Sequence, residues 1–108
     1  MRAASRNFLW HMSADLFICP NADAFSITVE EIRERFVAAG VGCAIETRGA
    51  ERWIVFDGHK SELVFTTEND GRAASAVMQA SMEDPPAFGE RVLRAFESFG
   101  WRYVEDDI

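Results

Sequence analysis

The residues best placed to do chemistry in this 108-residue sequence sit in one short run, Asp57-Gly-His59-Lys-Ser-Glu62. Three groups able to hold a divalent cation, or an imidazole flanked by carboxylates able to pass a proton, fall together on one hairpin tip. An ordinary turn histidine among solvated charges reads the same way, and that plainer reading outweighs metal binding. The other histidine, His11, lies near the start of the chain, and neither stands in a catalytic or ligand spacing. Catalysis needs an activated nucleophile, a base within reach and something to stabilise developing charge. The chain has no P-loop, G-x-G-x-x-G, G-x-S-x-G, H-E-x-x-H or EF-hand pattern. Gly40-Val-Gly42 opens like a glycine-rich loop, yet it follows a helix pattern and precedes a strand. That is the reverse of the order that aims backbone amides at phosphate. Glu30, Glu31 and Glu34 fall on the first turns of a helix, where the positive end of its dipole favours them without catalysis. No catalytic residue and no cofactor are expected, and Asp57, His59 and Glu62 stand only as weak metal candidates.

Contact chemistry is better represented. The aromatic residues exceed what a sheet with two short helices needs, and most of them belong to the core. The surplus falls to Trp53, Trp101 and Tyr103, amphipathic rings of the kind enriched at contact hot spots. With Asp57 and Glu62 they form the candidate binding set.

These residues must be positioned by two stretches written to one plan, an amphipathic helix halted by glycine and followed by a strand. Aligning Gly40 with Gly100 places Ile32 on Val92, Phe36 on Phe96 and Val41 on Trp101. In the first stretch Thr28 and Glu31 predict a capping box, with Ile27 and Ile32 at the positions of a hydrophobic staple. Val29, Ile32 and Phe36 share one face, and Gly40 permits a left-handed stop on which Val41 folds back. In the second, Asp84 is expected as the N-cap with Pro85 at the first helical position. Phe88, Val92, Ala95, Phe96 and Phe99 make its apolar stripe.

Strands are predicted at Asp15 to Cys19, Cys43 to Arg48, Glu51 to Asp57, Ser61 to Thr67 and Trp101 to Val104. Residues 73–82 fit a helix by alanine content. The turn signal Glu68-Asn-Asp-Gly71 and the alternation after it favour a strand. Trp53 and Val55 face one side of their strand, and Ile54 and Phe56 the other. Either both sides are covered or one is an exposed apolar patch, and the second case would be functional.

The expected fold class is therefore α+β, in the order β-α-β-β-β-β-α-β. It is a two-layer sandwich: a mainly antiparallel sheet of five or six strands with two helices on one face. This element order is similar to the ferredoxin-like split β-α-β plan with added strands. Residues 1–11 are expected to be a loose N-terminal arm, residues 12–108 a single domain, and the tail Glu105-Asp-Asp frayed.

Composition bounds the partners. The chain is 48% hydrophobic and 27% charged, suited to one packed core. Its net charge is −7, and from Met12 onward 9 basic residues face 18 acidic ones. Such a surface repels a phosphate backbone, so no nucleic acid is expected, and it steers toward basic proteins. No run reaches membrane-spanning length. Cys19 and Cys43 form no metal or redox motif; reduced buried thiols are expected, in a reducing, cytoplasmic compartment.

Three functions are weighed. The first is a non-catalytic acidic protein-binding module of the inhibitor or immunity type, acting against a basic effector. The second is a small-molecule-sensing regulatory domain, with a homodimer through an edge strand. The third and weakest is a metal-dependent enzyme using Asp57, His59 and Glu62.

Overall fold

A capping box opens the first helix. In the computed structural model, which describes residues 14–104, the Glu31 amide donates to Thr28 Oγ1 at 3.1 Å. The Thr28 amide donates back to Glu31 Oε1 at 2.9 Å. Helix α1 (Val29–Ala38) follows and ends in a two-bond glycine cap. There the Val41 amide reaches the Phe36 carbonyl at 2.9 Å and the Gly40 amide the Val37 carbonyl at 3.0 Å, with Gly40 at φ +84°. The second helix, α2 (Pro86–Ser98), stops at Gly100, φ +88°. The α1 stop is tied to the first half of α2 by Arg91, whose Nη2 donates to the Gly40 carbonyl at 3.0 Å.

Among the described residues there are six strands: β1 (Ala14–Pro20), β2 (Cys43–Arg48), β3 (Glu51–Phe56), β4 (Glu62–Thr67), β5 (Ala73–Ala80) and β6 (Trp101–Val104). They form one sheet in the order β2-β3-β4-β5-β1-β6, antiparallel throughout. Both β5 and β6 run against β1, so they run with each other across it. Likewise β1 and β2 run the same way, with β5, β4 and β3 between them. Each helix-then-strand half is thus a split β-α-β crossover, and the two helices lie on one side of the sheet.

Register decides which residues meet the helices, because facing residues of antiparallel neighbours point to the same side. One such row is Ile45, Ile54, Leu63, Met78 and Leu16. Ile54, Leu63, Met78 and Leu16 are sealed. Over them Phe36 meets Phe56 and Phe96 edge-to-face at 5.5 and 5.3 Å, and it is fully buried. Burying a phenylalanine contributes about 1.5–3 kcal/mol. At the margin Arg52 Nη2 reaches Glu30 Oε2 at 2.7 Å, tying α1 to β3. That bond holds the Glu30 carboxyl below its ordinary pKa.

Residues 73–80 are a strand, as alternation and the Asp70-Gly71 turn predict. One local expectation is corrected: Asp84 is not the cap of α2. The cap position is Pro85, with no side-chain cap bond, and the helix starts at Pro86. Pro85 occupies the cap position and has no side-chain oxygen to accept the first amides; the Phe88 amide instead reaches the Pro85 carbonyl at 3.0 Å. The Asp84 carboxylate is engaged elsewhere.

Cys19 and Cys43 are free thiols. With three strands between β1 and β2, they stand roughly 19 Å or more apart at ordinary strand spacing, too far for a bridge. They also lie on opposite faces: Cys43 sits in the helix-side core, and Cys19 opposes the exposed Arg102. Burial pushes the Cys43 thiol pKa up. The expected loose arm, with His11, and the expected frayed tail lie outside the described residues.

Candidate functional site

The side of the sheet away from the helices carries an unbroken apolar row. Register places Trp53 beside Val64, Val64 beside Val77, Val77 beside Phe17 and Phe17 beside Val104. The row crosses five strands, so at ordinary interstrand spacing it spans roughly 19 Å. Phe17 is 49% exposed, and the three valines are half-buried. No described helix packs on this side. In β3 the alternation that sends Ile54 and Phe56 into the core necessarily sends Trp53 and Val55 here.

Charge closes one end of the row. Arg48 lies over the Trp53 ring, 4.3 Å from its centre. Its Nη2 bonds Glu46 Oε1 at 2.9 Å, and its Nη1 bonds Glu62 Oε1 at 3.0 Å. Bonds from Glu62 first, then Glu46, raise the Arg48 pKa further and keep it a permanent cation. The Trp53 Nε1–H donates to Glu51 Oε1 at 3.2 Å. Trp53 is only 8% exposed although it faces away from the helices. A desolvated indole bounded by fixed charges has the composition of a contact hot spot.

The sequence-predicted site residues therefore scatter. Trp53 and Glu62 come together on the open side through Arg48. Trp101 is 1% exposed, stacked on Phe96 at 5.5 Å inside the core, and its buried Nε1 has no hydrogen-bond partner among the described residues. It offers no contact surface. Tyr103 is half-buried against the same core, on the helix side of edge strand β6. Asp57 directly follows β3 beside Gly42, whose carbonyl accepts its amide at 3.0 Å.

The Asp57, His59 and Glu62 run does not converge. Glu62 turns to Arg48 on the open side, while His59 stacks on Phe88 of α2, rings 3.7 Å apart and 11° from parallel. Among the described residues no group of three His, Cys, Asp or Glu side chains could hold a metal ion.

His59 instead belongs to a buried knot that sequence reasoning missed. The Asp84 carboxylate, 7% exposed, accepts from the Ser61 amide at 2.7 Å and the Lys60 amide at 3.0 Å. His59 Nδ1 lies 3.4 Å away, an ion pair only when the imidazole is protonated. Ser61 is fully buried and accepts the Ser81 amide at 2.9 Å. Burial raises the Asp84 pKa, but the bonds from Ser61 and Lys60 and the nearby His59 outweigh it, and the net shift is downward. The Asp84 carboxylate and the His59–Phe88 stack tie the β3–β4 hairpin to the start of α2, while the Ser61 hydroxyl ties it to Ser81 after β5.

Comparison with family models, with curated proteins and with solved structures returned no match. Among the described residues no helix is long and apolar enough to cross a membrane.

Proposed function

We propose that this chain is a non-catalytic protein-binding module of the inhibitor or immunity type, which holds a basic partner against the open side of its sheet. One observation carries the reading: the Trp53, Val64, Val77, Phe17 and Val104 row, continuous across five strands on the side where no described helix packs. An apolar band flanked by polar and charged residues is the usual composition of a contact patch. The excess of carboxylates supports a basic partner, since complementary charge speeds encounter and disfavours wrong partners. The ion-paired Glu46, Arg48 and Glu62 set register at the rim and add little affinity, because such exposed pairs are well solvated before contact.

The test is retention of a basic protein from the native host on the immobilised chain. Retention at low ionic strength that weakens steeply toward about 0.15 M salt is expected, since screening shortens from roughly 30 Å to 8 Å over that range. Retention indifferent to salt would remove the basic-partner half of the proposal.

A further inference from the structure

A second surface lies at the other side of the molecule, where the β1–α1 loop, helix α1 and the end of α2 enclose a groove of about 790 Å³. Its lip is Phe25, 92% exposed, the most exposed large apolar side chain among the described residues. Ala38 and the half-buried Phe99 also line it. An aromatic ring held in water on a short loop forgoes most of the roughly 1.5–3 kcal/mol that burial would return. A groove with one apolar wall and one unburied ring is therefore incomplete without an occupant.

Charge decides what kind. Among the described residues, Asp23, Glu31 and Glu34 stand round the groove against Arg35 alone. Glu31 is committed to the Thr28 cap, while Arg35 lies 6.0 Å from the Phe99 ring centre. The C-terminal end of α2 also opens here, and its last turn carries no basic residue to offset the negative end of its dipole. The walls are thus acidic around an aromatic lip.

We infer that this groove binds a basic amphipathic segment of a protein partner, one apolar side chain seated against Phe25 and Phe99 and its arginines or lysines facing Asp23 and Glu34. The site is separate from the open side of the sheet and does not depend on it. Cations near aromatic faces and carboxylates gain from both contacts, while an acidic segment would meet repulsion from three carboxylates and the helix end.

The experiment titrates the full chain with an amidated decapeptide of arginine, leucine and phenylalanine in i, i+4 spacing, and with its glutamate-for-arginine counterpart. Amide shifts are read by NMR. Saturable binding of the basic peptide is expected, with shifts at Phe25, Ala38 and Phe99 and none at Phe17 or Val64, and no binding of the acidic one. Phe25→Ser should weaken binding by ~10-fold or more, as loss of an anchor does, and Glu34→Arg should weaken it further at low salt. Phe25 is exposed, so its variant keeps the fold. Val77→Glu, on the opposite side, should leave peptide affinity unchanged even if partner retention there is lost. Binding indifferent to Phe25→Ser, or shifts confined to the open sheet, would overturn the inference. So would binding seen only after residues 1–11 are removed, which would give the groove to the chain's own basic start. Full displacement by benzylammonium at equal concentration would give it to a small organic cation instead, and also overturn it.

Discussion

The guanidinium of Arg48 rests 4.3 Å from the centre of the Trp53 ring while its nitrogens hold Glu46 and Glu62. An arginine fixed in this way acts as a cover plate over the end of the apolar row. Replacing Arg48 with Ala should bare the indole: tryptophan emission should shift to the red and become accessible to iodide. The core should be untouched, because Trp101 lies inside it and Trp53 does not. Unchanged quenching would show that something other than Arg48 shelters Trp53.

Asp84 gives a stability prediction with a pH signature. Asp84→Ala leaves the buried Ser61 amide and the part-buried Lys60 amide without their acceptor, at a cost of about 2–4 kcal/mol. The native carboxyl ionises more readily than in the unfolded chain. Its contribution is therefore complete above the ordinary aspartate pKa of about 3.9 and is lost as pH falls through the lower native value. Urea melts at pH 7 and pH 3 should show the difference between wild type and Asp84→Asn narrowing in acid. A gap independent of pH would contradict the knot.

That knot shows where sequence reading stops. The capping box of α1 and its glycine stop were legible because both partners lie within five residues of each other. The strand at 73–80 was legible from its turn signal and alternation. Asp84, directly before two prolines, had the local look of a cap, but its partners are 23 and 24 residues away. Trp53 and Trp101 are alike in sequence, each in a strand pattern. One faces away from the helices and the other is sealed, because face is decided by the register of the whole sheet. The Phe25 groove takes its walls from three separated segments, and no local spacing announces it.

Gly100 and Gly40 hold aligned positions and similar positive φ, yet they should not respond alike. A Cβ at Gly100 would stand 3.2 Å from Ala24 Cβ, whereas at Gly40 the nearest atom is the movable Arg91 Nη2 at 3.8 Å. The left-handed backbone alone costs an L-residue about 1–2 kcal/mol. Gly100→Ala should lose that and more, and Gly40→Ala only that. Paired thermal melts check the order; equal losses would mean the β1–α1 loop yields freely.

Val77 is the centre of the open-side row, between Val64 and Phe17. A carboxylate there interrupts the apolar row without entering the helix-side core. The direct measurement compares wild type and Val77→Glu for retention of a basic host protein at low salt, with melting curves beside it. Retention abolished in a variant that still melts cooperatively is the predicted result. The same protein retained equally by both would contradict the claim.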